Sequence, residues 1–233
     1  GTREISNAEY RRWKSNHSSS ALKGHSLDGD SQPVAGLSWK DAALYCNWLS
    51  NREGLPAFYR IEAGEVNGFD WDAHGYRLPT ETEWAWAARI QADGNSKVLP
   101  WMNGLYPPLE VFDNYADRSA SRFITFTIAG YNDKSPVSAV VGSFNSNSKS
   151  LYNMSGNVSE WVNDYYDIRS HRGEPSMDPR GPDSGNRHVI RGASWALGSR
   201  TELRLSYRDS GTDGRLDVGF RIARYVDKAG IKP

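Results

Sequence analysis

The stretch GYRLPTETEWAWAARI, residues 75–90, carries the clearest fold signal in the chain. Pro79 favours an extended backbone just before it, and this suits the start of a helix. Thr80 and Glu83 have the spacing of a capping box, in which each side chain accepts the backbone N–H of the other residue. Trp84 lies on the same face of the predicted helix as Ala87 and Ala88. The stretch therefore predicts a short helix that turns a tryptophan into the core.

A second capped helix is predicted upstream, in SWKDAALYCNWLSNREG at residues 38–54. Ser38 and Asp41 repeat the capping box, and Gly54 is a suitable C-terminal stop. Cys46 falls on the apolar face of this helix at helical spacing. This spacing favours a core residue over a reactive thiol, because a free cysteine packs like a small apolar side chain.

The remaining chain predicts few regular elements. A shorter helix is expected in SNAEYRRW, residues 6–13, with Ser6 or Asn7 as its cap. Beyond residue 90, short apolar runs alternate with clusters of Gly, Asn, Asp and Ser. No internal repeat or domain boundary is visible. We therefore expect one domain over residues 1–233 with a loop-rich α+β fold.

Composition excludes several classes of function. Lys plus Arg and Asp plus Glu both number 28, so no basic footprint for nucleic acid is present. No apolar run approaches the roughly 20 residues of a membrane span, and the first residues show no signal-peptide pattern. A single cysteine excludes an intramolecular disulfide and a zinc cluster of thiolates. The 28 aromatic residues, nine of them Trp, predict a core built from large rings.

Four segments in a fixed order carry a family resemblance: residues 33–54, 75–90, 150–166, and 189–195 followed by 218–224. Together they resemble the formylglycine-generating enzyme, or sulfatase-modifying factor, family. The resemblance extends over roughly residues 5 to 225 and implies a modified C-type-lectin-like fold. It also implies family strands upstream that this chain lacks. The chain is therefore expected to be the C-terminal part of a precursor, a truncated form, or one piece of a processed protein.

The resemblance also defines where an oxidase site would lie. These enzymes oxidise a substrate cysteine with oxygen and copper(I), which soft thiolate ligands bind. Counting forward from Ser194 without gaps places Leu197 and Glu202 at the two thiolate positions, and no cysteine follows Cys46. We therefore expect no copper and no true formylglycine-generating oxidase. This places the chain with the cysteine-lacking branch that includes the pyoverdine-maturation-like proteins.

Other family site positions are retained in this sequence. Ser194 and Trp161 match the serine and tryptophan that line the family's active-site pocket, and Glu202 stands in a former thiolate position. A carboxylate beside arginines orients a polar substrate or acts as a base, but the same pattern also forms structural ion pairs. The candidate catalytic residues are Ser194, Trp161 and Glu202, and the candidate pocket residues are Trp195, Arg204 and Arg208.

The five histidines lack the spacing of a metal site. His17, His25, His74, His171 and His188 are scattered, without an HxxH or HxxxH pattern. Exposed imidazoles, or imidazoles that are hydrogen-bonded in the core, are the favoured interpretation over an iron site.

Calcium is the cofactor that the resemblance implies. Family members often bind two calcium ions, a hard cation that takes six to eight oxygen ligands. The first set carried over comprises the side chains of Asn114 and Asp133 with the carbonyls of Tyr115 and Ser135. The second comprises the Glu160 side chain with the carbonyls of Ser155, Gly156 and Val158. The sequence favours the second set, because Lys134 brings a positive charge next to Asp133. The alternative is that Asn157 and Glu160 only cap a turn.

Two functions from different classes remain open. The first is a non-oxidase binding or accessory module for a peptide, protein or glycan, motivated by the missing thiols and the many aromatic residues. The second is an oxidoreductase or related maturation enzyme of the pyoverdine type, acting on a peptide-derived substrate. By analogy with related bacterial modules we expect a periplasmic or cell-surface location.

Overall fold

The computed structural model describes residues 1–91, 93–101, 105–168 and 177–225. Within them, helices α1 (Asn7–Arg11), α2 (Trp39–Arg52) and α3 (Glu81–Arg89) each begin with a capping box. Their caps are Ser6, Ser38 and Thr80, so the capping boxes predicted for α2 and α3 are confirmed. Helix α2 ends where Gly54 adopts a positive φ of 70°, the conformation that glycine favours at helix ends.

In the described ranges, two small hairpins and one turn of 3-10 helix lie outside the main sheet. Strands β1 (Ala21–Leu22) and β2 (His25–Ser26) pair antiparallel, as do β3 (Tyr59–Glu62) and β4 (Glu65–Phe69). The 3-10 turn covers Arg118–Ala120. The apolar runs at 122–131 and 138–144 contain no regular strand. The loop-rich α+β prediction is confirmed.

The main sheet has four strands in the order β7-β6-β5-β8. These are β5 (Ser159–Tyr165), β6 (His188–Arg191), β7 (Arg208–Gly211) and β8 (Val218–Phe220). The β5–β8 pair is parallel, whereas the other two pairs are antiparallel. The sheet edge at β8 is extended by the start of the chain, because the Ile5 N–H donates to the Phe220 carbonyl at 3.0 Å. The first and last described segments therefore meet in the core.

The largest core cluster lies between helix α2 and this sheet. Two buried tryptophans join the layers through their indole N–H groups. Trp39 of α2 donates to the Val162 carbonyl at 2.9 Å, and Trp161 of β5 donates to the Leu37 carbonyl at 3.1 Å. Because each indole has only one donor, these bonds satisfy both rings in the interior.

No helix in the described part of the chain is both long and apolar enough to span a bilayer.

Candidate functional site

Leu197 and Glu202 occupy the two positions at which the family's copper-binding thiolates are expected. Leu197 is half-buried and packs against an apolar cluster that includes Tyr115 and Leu203. The Glu202 carboxylate accepts the backbone N–H of Ser199 at 3.0 Å, and the Glu202 N–H donates to the Ser199 hydroxyl at 3.4 Å. This segment is therefore a closed turn with an apolar and a hydrogen-bonded side chain where thiolates would be required.

Ser194 precedes this turn and is fully buried. Its hydroxyl donates to a carboxylate oxygen of Asp217 at 2.9 Å. Arg215 donates to the two oxygens of Asp217 at 3.1 Å each, and to Asp209 at 2.6 Å. These two carboxylates raise the pKa of Arg215. Ser194 is therefore the buried end of a hydrogen-bonded chain that reaches the surface at Asp209.

Trp161 is a core residue in this structure. Its side chain is fully buried, and a β-carbon added at Gly211 would lie 2.9 Å from its ring. A ligand would reach Trp161 or Ser194 only after neighbouring groups had moved. The structure therefore places both residues in the interior, whereas the family resemblance implies that they line an open pocket.

The three candidate pocket residues do not converge on one site. Trp195 is buried in an apolar cluster, and its indole nitrogen has no hydrogen-bond partner. Arg204 is exposed. Arg208 donates to both carboxylate oxygens of Glu81 at 2.6 and 2.8 Å, and its guanidinium lies 5.0 Å from the Tyr166 ring centroid. Arg208 therefore joins β7 to the start of α3.

Cys46 is fully buried on helix α2, as predicted. Burial raises the pKa of its thiol well above the ordinary range. A thiolate is the form that attacks substrates and binds soft metals, so this residue is chemically protected.

The described histidines all have interaction partners. His188 stacks on Trp39 with 3.5 Å between ring centroids, and burial lowers its pKa to about 4. His17 lies 3.1 Å from the Ala35 carbonyl. His25 contacts Phe123, His74 also has partners, and His171 lies outside the described residues. In the described ranges, no three His, Cys, Asp or Glu side chains form a group that could hold a metal.

The first predicted calcium set is brought together in the structure. The Asp133 carboxylate accepts the N–H groups of Tyr115 at 2.9 Å and Ser135 at 2.7 Å. Asn114 is fully buried, and its side-chain oxygen has no hydrogen-bond partner. An unpartnered buried oxygen carries a desolvation cost that a hard cation would remove. The unpartnered Asn114 oxygen and the Asp133 carboxylate are therefore of the donor type that a calcium ion takes.

Asp117 adds a carboxylate to this set that sequence reasoning missed. It accepts the Asp133 N–H at 2.5 Å, and it caps the 3-10 turn by accepting the Ser119 N–H at 2.7 Å. Burial, followed by the Asp117 charge, raises the pKa of Asp133 to about 7. The sequence does contain a signal for Asp117, because an Asp two residues before a Ser is a common turn cap.

The second predicted calcium set has its only carboxylate already engaged. Glu160 is 1% exposed and is paired with the buried guanidinium of Arg221. The Ser155 hydroxyl donates to Asp113 at 2.9 Å. A β-carbon added at Gly156 would lie 2.5 Å from the Asn114 carbonyl oxygen, so the two predicted sets pack directly against each other.

Five large apolar side chains are exposed in the loops between residues 105 and 126, and two of these residues, Tyr106 and Phe126, lie beside the 197–202 turn. We call this set the apolar loop surface, and its members are Leu105, Tyr106, Leu109, Val111 and Phe126. Leu109 is 78% exposed and Phe126 is 76% exposed. Tyr106 donates its hydroxyl to the Gly198 carbonyl, and a β-carbon added at Gly198 would lie 2.9 Å from the Phe126 carbonyl oxygen. Tyr106 and Phe126 therefore flank the residue that follows Leu197.

A second open surface lies on the side of the 135–143 segment. It is a shallow groove of about 550 Å³. Its lining is rich in hydroxyl groups and comprises Gly29, Ser31, Gln32, Ser135, Ser138, Ala139, Val140 and Ser143.

Sequence comparison matches residues 2–226 to the family described as "Sulfatase-modifying factor enzyme 1-like domain". The chain is 30% identical over 203 residues to the formylglycine-generating enzyme of Mus musculus. The matched region covers 84% of this chain and 45% of the relative. It is 28% identical over 223 residues to "Chaperone protein LppX" of Paenibacillus barcinonensis, covering 84% of this chain and 71% of the relative. The chain spans about half the length of the formylglycine-generating enzymes it matches.

Two solved structures share the fold. "Treponema denticola variable protein 1" superposes with a TM-score of 0.75 and 25% identity, covering 95% of this chain and 82% of the other. PvdO from Pseudomonas aeruginosa superposes with a TM-score of 0.68 and 23% identity, covering 97% and 79%. The family match extends over nearly the whole chain, and the chain belongs to the sulfatase-modifying factor enzyme 1-like domain family.

Proposed function

We propose that this chain is a non-oxidase binding module that takes a peptide or protein segment on its apolar loop surface. The observation that carries the proposal is the position of Tyr106 and Phe126, which flank Gly198 beside the former thiolate positions. Exposed apolar surface of this kind costs solubility unless a partner covers it. The proposed contact surface therefore borders the turn in which Leu197 and Glu202 replace the expected copper-binding thiols.

Two further points support a binding role. Cys46 is buried and held as a neutral thiol, so it offers no substitute nucleophile. One relative, LppX, is named as a chaperone protein, and this name supports a binding role for this chain. By the same family analogy, we place the module in the periplasm or on the cell surface of a bacterium.

Selection of binding peptides tests the proposal directly. Random displayed peptides would be selected on the wild-type chain, and the affinity of the selected peptides would be measured by fluorescence polarisation. We expect apolar or aromatic residues in these peptides. Phe126→Ser should weaken binding about tenfold or more, as truncation of an aromatic anchor does.

The control for this experiment is Ile61→Ser. Ile61 is 40% exposed on β3, outside the apolar loop surface. The proposal fails if no peptide is selected, or if Phe126→Ser and Ile61→Ser bind the selected peptides equally well. A glycan that binds at the hydroxyl-lined groove instead would assign the ligand to a different surface.

The second candidate is a maturation enzyme of the pyoverdine type. The hydrogen-bonded chain from Ser194 through Asp217 to Arg215 favours it, because carboxylates beside an arginine can orient a polar substrate. Turnover of a peptide-derived substrate that falls in Glu202→Ala would support this candidate. Full activity in Glu202→Ala and Trp161→Ala would assign any reaction to another part of the chain.

A further inference from the structure

Both oxygens of the Glu160 carboxylate are already engaged by buried N–H groups. Arg221 Nε lies 2.9 Å from Oε1 and 2.7 Å from Oε2, and Arg221 Nη2 lies 2.6 Å from Oε1. Trp84 Nε1 donates to Oε2 at 2.8 Å. A carboxylate offers about four lone-pair positions. Because the single Nε hydrogen is shared between the two oxygens, three N–H groups are directed at this carboxylate, and both of its oxygens are engaged.

Charge at this position also disfavours a second cation. Arg221 is 4% exposed, and a guanidinium stays protonated in proteins, so a full positive charge already faces Glu160. Calcium binds oxygen at about 2.3–2.6 Å. A calcium ion on Glu160 would therefore lie within roughly 5 Å of the guanidinium, where like charges in a dry interior repel strongly.

The Arg221 guanidinium joins several chain segments, as a calcium ion would do at this position. Besides Glu160 in β5, Arg221 Nη2 donates to the Tyr152 carbonyl at 2.8 Å, and its Nη1 lies 3.5 Å from the Gly1 carbonyl. One buried cation thus joins the first residue, the 150–153 loop and the central strand. In a calcium site, the metal joins loops by binding oxygens of several segments in the same way.

The Asn114–Asp133 set differs from the Glu160 set both in its free acceptor atoms and in its charge. The Asn114 side-chain oxygen is fully buried without a partner. In the described residues, no Lys or Arg forms a salt bridge with Asp133 or Asp117. Lys134, which the sequence places next to Asp133, is exposed. Two carboxylates and a free amide oxygen there face no built-in cation.

We infer that Arg221 takes the place of the family's second calcium ion, so that this chain binds one calcium ion, at Asn114 and Asp133. The sequence alone favours the Glu160 set over the Asn114–Asp133 set, because the ion pair between Glu160 and Arg221 cannot be predicted without the fold.

Calcium titration of the intact chain tests this inference. Protein stripped with EDTA would be titrated with calcium chloride in a calorimeter, and bound calcium would be counted by elemental analysis after dialysis. We expect one ion per chain in the wild type. Asp133→Asn should abolish binding, whereas Glu160→Gln should keep one ion with an affinity within about threefold.

Glu160→Gln leaves Arg221 without its partner and can fail to fold, so Trp84→Phe is a second variant. It frees one position on Glu160 while keeping the ion pair, and we expect it to bind one calcium ion as well. Two ions in the wild type, no ion in the wild type, or one ion that is lost in Glu160→Gln with the fold intact by circular dichroism would each overturn the inference.

Discussion

The indole nitrogen of Trp84 lies 2.8 Å from a carboxylate oxygen of Glu160, and this bond joins helix α3 to the central strand β5. Both side chains are 1% exposed. A hydrogen bond to a charged group contributes about 1.5–3 kcal/mol, and removing part of a buried ring adds a cavity cost. We expect Trp84→Phe to lower the free energy of unfolding by about 3 kcal/mol, measured by urea denaturation. Trp86→Phe, at a position that is 58% exposed in the same helix, should change it by less than about 0.5 kcal/mol. Equal losses in the two variants would contradict a role for this bond.

Arg208 and Arg204 were both candidate pocket residues, and the structure separates them. Arg208 makes a bidentate ion pair with Glu81, whose side chains are 34% and 19% exposed. Bidentate, partly buried pairs are stronger than exposed ones, so we expect Arg208→Gln to lower the free energy of unfolding by about 1 kcal/mol. Arg204→Gln should be neutral within about 0.5 kcal/mol. A double-mutant cycle with Glu81→Gln measures the coupling, and a coupling of zero would show that the pair contributes nothing to folding.

Cys46 should resist modification in the native protein. Burial excludes reagent and raises the pKa of the thiol, so the reactive thiolate is scarce. With a disulfide reagent such as DTNB at pH 8, we expect negligible labelling of native protein within minutes and one label per chain in guanidinium chloride. Rapid stoichiometric labelling without denaturant would place the thiol at a reactive surface instead.

Glu4 predicts a pH dependence of stability with a definite sign. Burial raises its pKa in the folded protein to about 8, from an ordinary value of 4.5. The folded state therefore holds this proton more tightly than the unfolded state does. The stabilisation is complete below pH 4.5 and is lost as the pH rises through about 8. Glu4→Gln carries no titrating group, so it should flatten the stability curve between pH 5 and 8 relative to wild type, in urea denaturation at several pH values.

Glu9→Gln is the matched control for this pH series. The pKa of Glu9 is lowered in the folded state, despite partial burial, by hydrogen bonds from Ser6 and Arg3. It is therefore ionised in both states above pH 5, and its variant should give a curve parallel to wild type in that window. A Glu4→Gln curve that is also parallel to wild type would show that Glu4 is ionised in the folded protein.

The helices could be predicted from the sequence because their signals are local. The Ser38–Asp41 and Thr80–Glu83 boxes each need only residues three positions apart, and both are present in the structure. The family assignment was equally accessible, since ordered motifs survive without knowledge of contacts. The inward position of Cys46 followed from helical spacing alone.

The state of the candidate site depends on contacts between distant residues and could not be predicted. Glu160 and Arg221 are separated by 61 positions, and no pattern in the sequence indicates that they form an ion pair. Ser194 matched a pocket residue by position, but its burial against Asp217 is set by the packing of the turn that connects β7 and β8. The exposure of Phe126 was missed because its alternating neighbours resemble those of a strand.

The parallel pairing of β5 with β8 has a consequence for synthesis of the chain. Strand β8 lies between β5 and the segment that contains Ile5, so the centre of the sheet is completed by residues 218–220. A ribosome adds about 5–20 residues per second, and the earlier strands must wait for β8 to emerge. During that interval β8 does not yet cover the apolar side chains around Trp161 and Tyr10. The nascent chain is therefore expected to depend on protection from chaperones until β8 is released.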